Sequence, residues 1–138
     1  MGVTVSFTTD LLMGLSAHLA AAGINDPKFM KALPTAPDRC IALTAYSTSD
    51  EPKVAASKIR VQFWFRGIVN NSLDVDELGD AVFNILQGAE NLTFGTAHVA
   101  QILRKSSIQL GADANKRNER SDNYELDLDV PVTPGRPW

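Results

Sequence analysis

Few residues of this chain have both the type and the spacing that chemistry requires. The sequence contains two histidines, His18 and His98, and one cysteine, Cys40. No carboxylate or second cysteine stands near them at the spacing of a metal site, and nothing supplies the base that a nucleophilic cysteine needs. The glycines match neither a phosphate-binding loop nor a dinucleotide-binding fingerprint. We therefore predict structural roles for these three side chains and expect no catalytic, cofactor-binding or metal site.

An acidic run near the end of the chain is the second candidate. Glu125, Asp127 and Asp129 stand two residues apart, so in a strand they point to one face. Hard cations bind carboxylate oxygens, but neither a glycine-centred loop nor a further set of ligands accompanies this run. A solvated or ion-paired strand face is the favoured interpretation.

Basic and aromatic residues alternate in a third segment, residues 58–67. Such mixtures are typical of single-strand nucleic-acid platforms, where aromatic and basic groups share the exposed face. Here Phe63 and Phe65 alternate away from Arg60 and Arg66, and only Trp64 points outward with the arginines. Aromatic residues and arginine are enriched in protein–protein interfaces. We therefore predict an interface patch of Arg60, Trp64 and Arg66; the alternative is that Trp64 is buried under the chain's own tail or loops.

Length, composition and charge indicate the general class of protein. The chain has 138 residues, 44% hydrophobic and 21% charged, which suits a single domain spanning residues 1–138 with its own core. One cysteine excludes an internal disulfide, and no leader or apolar membrane-spanning stretch is evident, so we expect an intracellular protein. The net charge is −3, with a balance of +2 in residues 1–69 and −5 in residues 70–138. This asymmetry permits complementary contacts and argues against nucleic-acid binding.

The segment 58–67 also contains the clearest secondary-structure signal. Ile59, Val61, Phe63 and Phe65 alternate with polar or basic residues, which predicts a strand with one buried face and one basic outer face. Other periodic segments complete an α+β fold in the order α-β-β-α-β-β, with two helices on one face of a four-stranded, mainly antiparallel sheet. The predicted elements are helix 9–22, strands 39–46 and 58–67, helix 75–87, a strand region 94–110 with a bulge or break near Ser106, and strand 123–132.

Charge predicts the order of the strands. The outer face of the second strand carries basic residues and that of the fourth carries the acidic run. Opposite charges across neighbouring antiparallel strands contribute a few tenths to about 1 kcal/mol per pair. The fourth strand should therefore lie beside the second, in the order 1-2-4-3. Residues 24–38 are predicted to be connecting structure, and residues 111–122 a long mobile loop that carries Lys116, Arg117, Glu119 and Arg120.

Two of these segments together resemble a known family. Residues 37–46 contain Pro37-Asp38 followed by Thr44-Ala45-Tyr46, and residues 58–67 contain Val61-Gln62 followed by Arg66-Gly67. This combination resembles the tail-terminator and minor capsid proteins of long-tailed bacteriophages. The resemblance extends to a helical N-terminal part, a helix after Arg66-Gly67 and a final β-hairpin.

The resemblance implies a structural, non-enzymatic protein of the virion. Tail terminators form a ring, a hexamer on the tail, that ends polymerisation of the tail tube at its head-proximal end and joins it to head-completion proteins. They are assembled in the host cytoplasm without a membrane, and DNA passes through the ring without sequence-specific binding. Our candidates for subunit or partner contacts, chosen for their charge and predicted exposure, are Arg60, Trp64, Arg66, Lys116, Arg117, Glu119, Arg120, Glu125, Asp127 and Asp129. The alternatives are another head–tail connector or tail-completion protein, and a small ferredoxin-like ligand-binding module or enzyme.

Overall fold

Two helices and six strands make up the described part of the chain. The computed structural model describes residues 7–50, 56–95 and 97–129. The strands form one mixed sheet, in which only the first two strands are parallel neighbours. The elements are α1 (Phe7–Ala21), β1 (Lys28–Met30), β2 (Cys40–Asp50), β3 (Ala56–Val69), α2 (Asp74–Leu86), β4 (Glu90–Phe94), β5 (Ala97–Ala112) and β6 (Arg117–Asp129), and the sheet order is β1-β2-β3-β6-β5-β4.

The predicted four-stranded, mainly antiparallel sheet is wrong, because the chain adds a short strand at each edge. β1 lies in the segment predicted as connecting structure, and its three residues pair with β2 in parallel. β4 lies between α2 and β5 and pairs with the first part of β5. Strands of this length have too few residues to show an alternating pattern, so only their pairing reveals them.

The predicted order of the four central strands is confirmed. β3 lies between β2 and β6, and β6 lies between β3 and β5. Lys58 stands opposite Asp127 and Arg60 opposite Glu125 in the register of β3 and β6. Nζ of Lys58 and Nε of Arg60 each lie 3.6 Å from an oxygen of Glu125. The charge pattern therefore identified the correct neighbour of β3.

Both helices pack on one face of the sheet and form a single core with it. α1 contributes its buried leucines, and α2 contributes a stripe at helical spacing. Across the sheet, the rings of Phe63 and Tyr124 meet edge to face with their centroids 5.3 Å apart. No helix in this described part is long and apolar enough to cross a membrane. The largest fully buried side chains are Leu11, Leu15, Leu19, Ile41, Leu43, Phe63, Phe65, Leu78, Leu86, Ile102, Tyr124 and Leu126.

The predicted mobile loop at residues 111–122 is wrong. β5 continues to Ala112 and β6 begins at Arg117, so a short turn joins two long strands. Asp113 Oδ1 accepts the backbone N–H groups of Asn115 and Arg117, each at 2.9 Å, and Lys116 has a φ of 61°. The first part of β6, residues 117–123, is polar on both faces, which hides the alternation that indicates a strand. The predicted irregularity near Ser106 is confirmed, since the register of β5 and β6 shifts between Arg104 and Ser106.

Candidate assembly surface

The sheet face that points away from the helices carries the predicted interface patch. We call this the outer sheet face; its central row contains Ala42, Trp64, Ser121 and Ile108 in register across β2, β3, β6 and β5. Three large side chains on this face, Tyr46, Trp64 and Ile108, are at least one-third exposed. Such a face can bind another protein without unfolding any element of the subunit.

Hydrogen bonds between strands hold the side chains of the outer sheet face in place. Gln62 Nε2 donates to Ser121 Oγ at 2.9 Å, joining β3 to β6. Tyr46 Oη donates to Asn123 Oδ1 at 3.0 Å, and Asn123 Nδ2 donates to Ser106 Oγ at 3.1 Å. The face is therefore organised before any partner binds, which lowers the entropy cost of association.

Trp64 lies at the centre of this surface. The residue is 36% exposed, and its Nε1 donates a hydrogen bond of 2.8 Å to Glu119 Oε1 on β6. A cavity of about 310 Å³ lies beside it, lined by residues 31–33, Trp64, Arg66 and Glu119. The described residues leave the indole partly open, and its orientation is set by Glu119. This arrangement suits an aromatic anchor with one apolar face and one satisfied polar group.

Arg66 does not share the exposure of Trp64. It is 3% exposed, and its guanidinium donates to the carbonyl oxygens of Asp38 at 2.8 Å and Pro37 at 2.7 Å. Its register partner on β6 is Glu119. The structure therefore places Arg66 under the loop that precedes β2, where it holds that loop against the sheet.

Arg117 is also occupied within the subunit. Its side chain is 6% exposed and reaches three acceptors: Asp113 Oδ2 at 2.9 Å, the Thr35 carbonyl at 2.6 Å and Asp38 Oδ1 at 3.1 Å. The hydrogen bond with Asp113, and a smaller effect of that with Asp38, raise the pKa of Arg117 above its usual range although burial works against its charge. Arg117 thus fastens the β5–β6 turn to the loop before β2, rather than standing on a mobile loop.

Arg120 lies on the opposite, helix-covered face of the sheet. Its guanidinium binds both carboxylate oxygens of Asp122 at 2.9 Å and reaches Asp76 at 3.1 Å and Asp80 at 2.9 Å on α2. Burial lowers the pKa of Arg120, but its hydrogen bonds to Asp122 and Asp80 outweigh that cost and raise it. A side-chain carbon on Gly79 would lie 2.7 Å from the Arg120 Cζ atom, so glycine permits this close approach of α2.

Sequence reasoning missed the acidic partners of Arg120. Asp122 is fully buried and also accepts a hydrogen bond of 2.6 Å from Ser107. Two signals in the sequence were available. Asp76 and Asp80 are spaced for one face of a helix, and Arg120 and Asp122 for one face of a strand. These two spacings indicate a buried arginine with acidic partners only once residues 117–129 are known to form a strand.

The acidic run is mostly paired inside the subunit. Glu125 is the hub, with Lys58, Arg60 and Lys105 each within 3.9 Å of its carboxylate. Asp127 is about half exposed and lies 4.0 Å from Lys58. The Asp129 side chain lies outside the described part of the molecule. Among the described residues, no group of three or more His, Cys, Asp or Glu side chains could hold a metal ion.

The remaining candidates of the sequence are also placed. Lys116 is exposed in the β5–β6 turn. Cys40 is fully buried on β2, as its predicted packing role requires, and burial raises the pKa of its thiol. The ring of His18 lies 6.1 Å from that of Phe94, and His98 is half-buried on β5. Of the ten predicted contact residues, Trp64 and Lys116 are exposed, and Arg60, Glu119 and Asp127 are half-buried.

Comparisons with known proteins agree with this architecture. No curated protein sequence matches the chain. A chain in the virion of a native gene transfer agent particle has a similar fold, with a TM-score of 0.66 at 13% sequence identity over 86% of this chain and 94% of that chain. Residues 17–130 match the sequence model of the bacteriophage tail terminator protein family. The chain therefore belongs to the bacteriophage tail terminator family, which makes it a structural protein of a phage-type tail and a component of a virion.

Proposed function

We propose that this protein forms a homo-oligomeric ring, a hexamer on the tail, that caps the tail tube, ends its polymerisation and joins it to the head-completion proteins. The observation that carries the proposal is the family match, which spans most of the described chain. The similar fold of a chain in a gene transfer agent virion supports it, because that chain also belongs to a phage-like particle.

The outer sheet face supports a role in assembly. A ring whose subunits contact each other head to tail needs two different, complementary surfaces on each subunit. Trp64 and Glu119 form a rigid centre on this face, and exposed Tyr46 and Ile108 flank it on β2 and β5. Interfaces concentrate binding energy in well-oriented aromatic residues, so Trp64 is the proposed anchor of a subunit or partner contact.

The distribution of arginine supports passage of DNA through the ring. Proteins bind the phosphate backbone through exposed Lys and Arg side chains. Arg66, Arg117 and Arg120 are each at most 5% exposed and are bound by acceptors of the same subunit. These three arginines are therefore not available to hold DNA, and the net charge of −3 also works against binding to phosphates. We therefore propose a lumen that DNA crosses without sequence-specific binding.

The direct test measures both assembly and tail length. The mass of the purified protein is followed by sedimentation across a concentration series, with and without tail tubes. A phage carrying a deletion of the gene is then imaged for tail length. We expect a closed ring that forms either in solution or only when tail tubes are present. Tails of the deletion phage should have uncontrolled length. A chain that stays monomeric with tubes, together with tails of normal length in the deletion, would refute the proposed cap.

A further inference from the structure

Two stretches of strand edge lack a neighbouring strand in the described part of the chain. On one side of the sheet, β1 pairs with residues 41–43 of β2, so residues 44–50 pair with β3 alone. On the other side, β4 pairs with β5 up to Gln101, and residues 87–89 bind Ile102 and Arg104. Residues 105–112 of β5 therefore pair with β6 alone. Such edges present unpaired backbone N–H and C=O groups to another strand.

The two unpaired stretches complement each other in position. They are similar in length and lie on opposite sides of the sheet. They also lie at opposite ends of the strands. Following the register across the sheet, residues 44–50 lie at the same height as the part of β5 that β4 covers. Residues 105–112 lie at the same height as the part of β2 that β1 covers. A second copy displaced along the strands can thus place its residues 44–50 beside residues 105–112 of the first. In that arrangement neither short edge strand, β1 or β4, obstructs the contact.

Side chains on both stretches fit such a contact. Ile108 on β5 is 54% exposed and Tyr46 on β2 is 43% exposed, and both lie on the outer sheet face. Aromatic and β-branched residues pack well across neighbouring strands. Leu110 adds a second exposed apolar group to the edge of β5. Charged residues usually protect exposed edges from pairing, and Lys105 is the one charged residue in 105–112.

We propose that copies of this chain join by antiparallel pairing of residues 105–112 of one copy with residues 44–50 of the next. The pairing is antiparallel because β2 and β5 run in opposite directions within the sheet, and the second copy continues that sheet. The two surfaces differ, so each contact is head to tail and a series of them can close into a ring. The inference rests on the proposed ring and specifies how its subunits meet.

Two single substitutions test the two sides of the contact. Ile108→Lys places a charge on the β5 edge, and Tyr46→Lys places one on the β2 edge; both positions are exposed in the subunit. Leu73→Lys is the control, since Leu73 is 67% exposed before α2 and outside both stretches. Unfolding in urea verifies that each variant is folded, and sedimentation with and without tail tubes measures assembly.

We expect the wild-type chain and Leu73→Lys to assemble and each of the other variants to remain monomeric. An equimolar mixture of Ile108→Lys and Tyr46→Lys keeps one native contact, between the intact β5 edge of one variant and the intact β2 edge of the other. Because the second contact would bring two lysines together, the mixture should stop at a dimer of two 15.0 kDa chains. A symmetric contact between two β5 edges would instead let Tyr46→Lys dimerise by itself, because its β5 edge is intact, and would give no mixed dimer.

The outcomes separate this inference from the proposed function. If Ile108→Lys and Tyr46→Lys each assemble as the wild-type chain does, the inference is overturned and the ring proposal still stands. Single variants that fail to assemble and yield no dimer when mixed would also overturn the inference, because the contact would not join these two edges. A wild-type chain that assembles neither alone nor on tubes would overturn the ring proposal and the inference together.

Discussion

At the scale of single residues, three buried arginines bind within the subunit. Arg66 and Arg117 hold the loop before β2, and Arg120 joins β6 to α2 through Asp122, Asp76 and Asp80. Each is almost fully buried, where a charge is tolerated only if it is paired and hydrogen-bonded. Removing one partner therefore costs more than the pair itself contributes to stability.

Arg120→Met should destabilise the fold strongly, because it leaves the fully buried carboxylate of Asp122 without its main partner. We expect the free energy of unfolding in urea to fall by roughly 3 kcal/mol. The double variant Arg120→Met with Asp122→Asn should recover part of that loss, since it removes the uncompensated charge. Lys116→Met, at an exposed turn position, is the control and should change stability by less than about 0.5 kcal/mol. Equal stability of Arg120→Met and the control would contradict this account.

Trp64→Ala should weaken assembly while the subunit still unfolds cooperatively. The indole is partly exposed and packs on the outer sheet face, not in the core between sheet and helices. We expect association to weaken by at least about tenfold, as truncation of an aromatic anchor does. Leu73→Ala, which truncates a more exposed apolar side chain elsewhere, should leave assembly unchanged. Loss of cooperative unfolding, with normal association of the folded fraction, would instead assign Trp64 to the core.

At the scale of elements, the β5–β6 hairpin is the feature that most changes the interpretation of the chain. Its turn is built by Asp113, whose carboxylate accepts two backbone N–H groups and the Arg117 guanidinium. The hydrogen bond from the backbone N–H of Arg117, with further bonds from its side chain and from Asn115, lowers the pKa of Asp113. The hairpin therefore depends on an ionised carboxylate at its tip.

Asp113→Ala should lower stability at neutral pH and have little effect in acid. A lowered pKa in the folded state contributes stability above the unfolded value of about 3.9, and that contribution disappears as pH falls through the folded pKa. Urea unfolding of both proteins at pH 7 and at progressively lower pH measures the difference. We expect the difference to shrink as the wild-type carboxylate becomes protonated. A difference that persists unchanged in acid would show that the charge of Asp113 is irrelevant to the turn.

In the molecule as a whole, the described part of the subunit has two different sides. One side is a hydrogen-bonded sheet face with exposed apolar side chains on its edge strands, and the other is covered by helices. Many of its described basic groups are paired internally, in the Glu125 cluster, with other carboxylates or with backbone carbonyls. These features support the proposed binding to other proteins and the proposed passage of DNA without retention.

The assembled protein should therefore not retain double-stranded DNA. With a net charge of −3 and its buried arginines occupied, we expect no shift of a DNA fragment in a mobility assay at physiological salt. Repeating the assay at lower salt tests the reason, because phosphate contacts strengthen steeply as salt falls. Binding that increases over several orders of magnitude between these conditions would show a cationic surface and contradict the proposed passage of DNA.

Patterns in the amino-acid sequence are enough to predict the two helices, the central strand β3 and, as its neighbour, the second part of β6. These depend on patterns that extend over many consecutive residues: apolar spacing in the helices, alternation along β3, and opposite charges on β3 and β6. The sequence also carried the motifs of the tail terminator family, which residues 17–130 then matched. Such signals are local, and each can be read without knowing what lies across the sheet.

Which polar residues are buried depends on the packing of the folded chain. The first part of β6 looks like a loop because its buried face carries Arg120 and Asp122, and α2 supplies two further acidic groups, Asp76 and Asp80, that make this burial possible. Likewise, β1 and β4 are too short to show a period and exist only by pairing with β2 and β5. Burial and strand pairing depend on residues that are distant in the sequence. For this reason, only the folded structure shows which arginines of the predicted interface are buried and which strand edges lack a neighbour.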